Sequence, residues 1–215
     1  MADTLATALE RHAIELPEEQ VAELERYCKA LWEWNEKMNL TRHTDYEKFV
    51  TRDVVDTLAF EQFLDAGERV LDVGSGGGVP GVPLAIVRPD LEVELSESVA
   101  KKAHALNEIV HTAGINVPVH HARAEEILER ASFDTLVARA VAPLDKLLTW
   151  VGPHWDAFGQ LLIIKGPAWI EERKVARERG LLKSLDIRKL AEYPLPGTEN
   201  QSVVLAIRPK GRGAR

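Results

Sequence analysis

The chain has 215 residues, 27 basic and 34 acidic side chains and a net charge of −7 with histidine neutral. That is long enough for one α/β domain with a small extension, and too acidic for indiscriminate polyanion binding, so any nucleic-acid contact must come from a local basic patch. Its single cysteine, Cys28, rules out a disulfide framework and, lying among helix-spaced apolar residues, is expected to be a buried thiol in a reducing compartment. No stretch has the length of a membrane span or the pattern of a secretory leader, so a soluble, cytoplasmic chain is expected.

Residues 1–65 read as a helical cap. Pro17 suits the first turn of a helix, and beyond it Leu24, Cys28 and Leu31 form one apolar stripe. A second periodic segment follows Thr44-Asp45-Tyr46-Glu47, with Thr44 placed to cap it and Glu47 to reach back to the free amide. Phe49, Val54, Leu58 and Phe63 continue its apolar side.

From Arg69 onward the period becomes that of strands alternating with helices. Strands are predicted over 69–73, 91–95, 117–120, 133–138, 160–164 and 203–207, and helices over 81–88, 99–113, 124–130, 144–157 and 170–184, with Pro89, Gly114 and Gly159 at the exits. This alternation predicts a parallel sheet with right-handed crossovers, the body of the fold spanning 66–208. Residues 187–193, a loop over 194–200 and the final strand read instead as a hairpin on the sheet edge. Arg208 and the 209–215 tail, with Lys210, Arg212 and Arg215 and no acid, are expected to form a flexible basic end.

The densest signal is Arg69-Val70-Leu71-Asp72-Val73-Gly74-Ser75-Gly76-Gly77-Gly78-Val79-Pro80-Gly81, a strand that runs into a glycine turn. Gly76, Gly78 and Gly81 satisfy the G-x-G-x-x-G dinucleotide pattern. Asp72 at the strand tip argues against a pyrophosphate, whose charge it would repel, and for S-adenosylmethionine, which carries an ammonium and a sulfonium. The plainer alternative makes Asp72 a helix cap and the glycines a tight turn. Gly74, Gly76, Gly78 and Val79 are expected to form the wall against the ligand. Glu97, 23 positions after Gly74, has the spacing of a ribose-binding carboxylate, with Glu94 its competitor. His120 and His121 are adjacent and the cysteine is remote, so no metal site is expected, and there is no serine or cysteine triad signature.

Several separated segments together resemble one family: Trp34-Asn35-Glu36-Lys37-Met38-Asn39-Leu40-Thr41, the run from Asp72 to Gly81, Arg123-Ala124-Glu125-Glu126, Ala138-Arg139-Ala140-Val141-Ala142-Pro143-Leu144 and Lys165-Gly166. The chain resembles the glucose-inhibited division protein B family, bacterial small-subunit ribosomal RNA guanine-N7 methyltransferases. The resemblance implies a Rossmann-like class I S-adenosylmethionine-dependent methyltransferase fold with a helical N-terminal extension. It also implies methyl transfer to guanine N7 in 16S ribosomal RNA; a basic rim around the site favours ribosomal particles over free guanosine, and the sequence leaves the oligomeric state open, a monomer being one alternative. The resemblance puts Ala124 and Glu125 beside the adenine and Asn39 over the cofactor mouth, where it would assist Arg139. Two departures remove positive charge: Arg52 is followed by Asp53 where the pattern has histidine, and Gln201-Ser202 stands where arginine-histidine is common. Asp53 is expected to repel substrate phosphate.

Arg139 directly follows the apolar fourth strand, which favours a site role over an ordinary ion pair. Its fork can hold the cofactor carboxylate, a target phosphate or guanine O6. Lys165, at the end of the fifth strand, is a candidate for the RNA backbone, as are Arg42 and Arg52 in the cap, while Trp32 and Trp34 either stack bases or pack the cap. Arg42, Arg52, Lys101, Lys102, Arg123, Arg139 and Lys165 are expected to converge into a positive rim. Two other classes compete: an NAD-dependent oxidoreductase, and a noncatalytic RNA-binding or ribosome-assembly factor. Nicotinamide binding would select the first, and RNA binding without methyl donation the second.

Overall fold

The computed structural model describes residues 4–196 and 199–211, so Gly197, Thr198 and the tail residues Arg212 and Arg215 lie outside the described residues. Strands β1 (Arg69–Val73), β2 (Glu92–Ser96), β3 (Val119–His120), β4 (Phe133–Arg139), β5 (Phe158–Lys165), β6 (Leu185–Pro194) and β7 (Gln201–Pro209) form one sheet in the order β3-β2-β1-β4-β5-β7-β6. The first five strands are parallel, as their near-continuous apolar runs require when both faces are covered. β7 departs from the parallel reading of 203–207. It is the second arm of the β6–β7 hairpin and runs antiparallel to both β5 and β6, between which it inserts.

Because the order reverses between β1 and β4, their carboxyl ends diverge into a crevice, where open α/β sheets place their ligands. Crossover helices α5 (Gly81–Val87), α6 (Ala100–Ala113), α7 (Ala124–Leu128), α8 (Leu144–Val151) and α9 (Trp169–Glu178) cover the sheet. Two of them are shorter than their apolar period suggests. α8 gives way to a 3₁₀ turn at Gly152-Pro153, where proline supplies no amide, and α9 ends ahead of Gly180 at φ +76°. Gly159 is not an exit but lies inside β5, where a Cβ would sit 2.8 Å from the Asp134 carbonyl oxygen.

The cap packs α1 (Leu5–Arg11) and α2 (Glu18–Asn35) against α3 (Tyr46–Lys48), a π-helical turn (Phe49–Val54) and α4 (Val55–Glu61). Pro17 sits one residue outside α2. Asp45, not Thr44, caps α3 by accepting from the Lys48 amide at 2.7 Å, and Glu47 turns away to pair with Arg11 and His12. Phe63 lies beyond the helix end. Tyr27, Phe49 and Phe60 are fully buried in one cluster with Val70, Leu95 and Leu106, so the cap shares a core with one face of the sheet. Leu71, Leu136, Leu147 and Ile163 anchor the other. Each such side chain contributes roughly 1.5–3 kcal/mol by leaving water. Cys28 is buried in the shared core, and that burial pushes its thiol pKa well up.

Candidate active site

A cleft of about 420 Å³ opens at the carboxyl ends of β1 and β4. Its floor is the glycine turn. Gly74 and Gly76 adopt φ of +69° and +57°, which an L side chain resists, and a Cβ on Gly74 would meet Val141 at 2.8 Å. Gly76 is different: the nearest atom to a Cβ there is 3.9 Å away, so its bare backbone faces open cleft. Gly78, expected in the wall, lies beneath it instead, packed against Val82, Leu106 and Tyr27, while Gly77 takes a place in the lining.

Asp72 does not line the cleft. Its side chain is almost wholly buried, Oδ2 accepting from the Gly81 amide at 3.0 Å at the start of α5, so the plainer helix-cap reading holds. The Asp72 carbonyl accepts from the hydroxyls of Ser75 (3.0 Å) and Ser96 (2.9 Å), which ties the turn to β2. Oδ1 is buried without a hydrogen-bond partner, and burial raises the carboxyl to about 6 against the pull of the Gly81 amide.

Glu97 follows β2 and reaches the cleft, Oε2 accepting from the Gly76 amide at 3.1 Å and Oε1 from the Val99 amide at 2.7 Å. A carboxylate has acceptor capacity beyond these bonds, which suits a pair of ribose hydroxyls. Glu94, its competitor, is spent on Arg69 (2.7 Å) and His120 (2.6 Å). After β3, Ala122, Arg123, Ala124 and Glu125 line the same end. Glu126 is a cap that accepts from the Arg123 amide at 2.9 Å.

Arg139 closes the opposite end of the crevice and is far from a free cation. Its Nη2 lies 2.7 Å from Asp53 Oδ1 and its Nη1 3.0 Å from Asp56 Oδ2. Burial disfavours its charge, but the two aspartates outweigh that and raise its pKa further. Each aspartate is held in turn: His43 Nδ1 lies 2.9 Å from Asp53 Oδ1, and Tyr193 donates to Asp56 Oδ1 at 2.6 Å. Burial lifts the Asp56 carboxyl, and it likewise lifts the Tyr193 phenol, with Asp56 adding to the effect. Asp53 is therefore not a surface charge set against phosphate. It is fully buried and neutralised by Arg139.

Other expected residues fall outside the cleft. α2 ends at Asn35, whose Oδ1 accepts from the amides of Leu40 and Thr41, and it is these two residues that roof the cleft. Asn39 is exposed beside them and absent from the lining. Of the expected positive rim, Lys102, Arg123 and Arg139 line the cleft. Arg42 and Lys101 are exposed outside it, Arg52 donates to the Pro196 carbonyl, and Lys165 is committed to Glu172 (2.8 Å) and the Ala142 carbonyl (2.5 Å). Ser202 is buried on β7 opposite Tyr193, whereas Gln201 is exposed.

Sequence reasoning missed Ser96, Thr41, Val141 and Trp150 in the lining. Thr41, Ala140 and Val141 fall within segments that carry the family resemblance, but that resemblance gave them no role; Ala140 adopts a φ of +54°, which an alanine seldom does. Among the described residues no group of three His, Cys, Asp or Glu side chains is placed to hold a metal ion.

The chain that builds this cleft matches a known family over most of its length. A family model described as rRNA small subunit methyltransferase G, GidB, matches residues 20–193. A Ribosomal RNA small subunit methyltransferase G from Rhodopirellula baltica is 51% identical over 189 residues, spanning 88% of this chain and 82% of its own. One of the same description from Clostridium novyi is 36% identical over 183 residues, spanning 82% of this chain and 75% of its own. A solved methyltransferase from Pyrococcus furiosus matches the fold with a TM-score of 0.54 at 13% identity, over 74% of this chain and 84% of its own. On the family match and the identity of these relatives, the chain belongs to the GidB family, rRNA small subunit methyltransferase G.

Proposed function

We propose that this S-adenosylmethionine-dependent methyltransferase modifies N7 of a guanine in small-subunit ribosomal RNA. Family membership sets aside hydride transfer to or from a nicotinamide. One observation carries the choice of atom. The lining supplied by the cap, the turn after β4 and α8, namely Leu31, Leu40, Thr41, Ala140, Val141 and Trp150, contains no Asp, Glu, His or Lys that could remove a proton; the acids and lysine of the cleft, Glu97, Lys102 and Glu125, come from the segments after β2 and β3. N7 needs none, because its lone pair is already free.

When bound, S-adenosylmethionine would supply an electrophilic methyl carbon on a sulfonium, with the neutral thioether as the leaving group that keeps the C–S bonding electrons. The residues present fit that group. The open backbone at Gly76, flanked by Gly74 and Val79, offers close approach. Glu97 has acceptor capacity for ribose hydroxyls, and Ala124 and Glu125 flank the place for a base edge. With two of its donors already on aspartates, Arg139 is better matched to a neutral acceptor than to another carboxylate. Guanine O6 is such an acceptor. A bidentate grip on O6 and N7 would occupy the attacking lone pair, so a single N–H to O6 is the productive contact. Trp150 gives the base a face to stack on, and Arg42 outside the cleft and Arg123 in its lining reach RNA phosphate. Asn39, exposed beside the roof, serves RNA there rather than the reacting atoms. We place the enzyme in the cytoplasm as a monomer. No helix among the described residues is long and apolar enough to cross a membrane.

Transfer of radiolabelled methyl to isolated small subunits, naked ribosomal RNA and guanosine, with the product mapped, tests the reading. Label on guanine N7 of the RNA, with guanosine a poor acceptor, is expected. Label on ribose or a base carbon would overturn the atom assigned, and donor binding with no transfer to any acceptor would favour a noncatalytic factor.

A further inference from the structure

We propose that Asp53 is a positioning residue for methyl transfer: it fixes the orientation of Arg139 in the cleft and, through His43, couples that arginine to the roof segment Leu40–Thr41. The inference rests on the methyltransferase reading above and adds a residue that never touches a ligand, since Asp53 is fully buried and absent from the lining.

The connections form a closed path. Leu40 and Thr41 line the cleft, and their amides are pinned by Asn35 Oδ1 at 2.8 and 2.9 Å. Thr41 Oγ1 then accepts from the His43 amide at 3.0 Å, and the His43 carbonyl accepts from Trp32 Nε1 at 2.7 Å, so the His43 backbone is held on α2. The His43 ring spans both oxygens of Asp53, at 2.9 and 3.0 Å, and Asp53 Oδ1 also lies 2.7 Å from Arg139 Nη2. Arg139 returns the path to the cleft.

Asp53 sits in the π-helical turn, three residues before Asp56, so both carboxylates lie on the face turned to Arg139. The backbone there is held too, since Thr57 Oγ1 donates to the Asp53 carbonyl at 2.7 Å. A guanidinium gripped at both terminal nitrogens by carboxylates on one helix face cannot rotate about its own axis. Release of one grip leaves it hinged on the other. Only the orientation set by both grips keeps the remaining N–H groups at one place in the cleft.

The experiment compares the wild type with Asp53→Asn and with the swap H43D/D53H, measuring donor binding by calorimetry and the kcat and KM of transfer to isolated small subunits. The swap retains a histidine–aspartate pair between the roof and the π turn but takes the acid away from Arg139. Both variants are expected to bind S-adenosylmethionine within about threefold of the wild type and to lose about a hundredfold in kcat, the scale of a misplaced reacting group. A wild-type rate in Asp53→Asn would overturn the proposal. Recovery of the rate in the swap would reduce Asp53 to a tether for the roof, and loss of donor binding in Asp53→Asn would place it in the scaffold; either overturns the aiming role. A wild type that transfers no methyl would fail the parent reading instead.

Discussion

The two ends of the cleft are built by different means. At the end we assign to the methyl donor, Gly74, Gly76, Glu97 and Ala124 shape the cleft through backbone amides, positive φ angles and one carboxylate, each at or just after the end of a strand. At the Arg139 end the work is done by charged side chains drawn from the cap and from β4, with the neutral Tyr193 phenol of β6 bonded to Asp56, and few of them touch the cleft. The donor end is a shape made by local chain geometry; the other is a balance of buried charges held by tertiary packing. Damage should therefore appear as lost donor affinity in the first and lost rate in the second.

The largest break is expected from Arg139→Ala. It removes the donor aimed at the target and leaves Asp53 and Asp56 buried without their cation. Turnover on small subunits should fall about 10²–10³-fold, and denaturant melts should show about 3–5 kcal/mol of lost stability. A variant as stable as the wild type would mean that the aspartates are neutralised some other way.

Gly81→Ala probes the donor end. Its Cβ would lie 2.2 Å from Leu95 Cδ2 and 2.8 Å from Asp72 Oδ2, forcing a shift at the base of the turn. A cost of about 1–3 kcal/mol is expected, with donor affinity weakened and kcat at saturating donor close to normal. A variant that loses kcat and keeps donor affinity would erase the distinction between the two ends.

Asp72 adds a pH signature to the donor end. Its folded carboxyl is raised to about 6, so the fold holds this proton more tightly than the unfolded chain does. The contribution is full below about pH 4 and is lost as pH rises through 6, at no more than about 1.4 kcal/mol per pH unit. Carboxyls held low by partners, such as Glu94 through its bonds to His120 and Arg69, act in the opposite sense, so the comparison must be between wild type and Asp72→Asn. The stability difference between them should change across pH 4–6, and a parallel pair of pH curves would refute the burial argument.

The smallest effect separates exposed from committed cations. Arg123 is exposed at the cleft, so Arg123→Ala should lower the slope of log affinity for RNA against log salt by about 1. Lys165 is taken by Glu172 and the Ala142 carbonyl, so Lys165→Ala should leave that slope unchanged. Equal effects would restore Lys165 to the RNA surface.

Much of the donor end was legible in the sequence because its determinants are short-range. Alternating apolar runs announce strands, glycines announce the turn, and Glu97 and Ala124 lie at positions set by where strands end. The same reading erred wherever a residue's role depended on what packs against it. Asp72 turned inward to cap α5, Lys165 found Glu172, and Asn39 fell outside a helix that ends at Asn35.

Sequence alone determined the α/β alternation, the glycine turn, the carboxylate at Glu97 and an arginine at the end of β4. Backbone conformation and strand length are governed by neighbours along the chain, so they leave a periodic trace. Only the tertiary structure decided that this arginine is a clamped one. Its partner Asp56 lies 83 positions away, and Asp53, which by charge alone looked hostile to an RNA substrate, becomes its counterion. Whether a charge repels a ligand or steadies the residue that meets it depends on burial and on the nearest opposite charge, and both are set by packing.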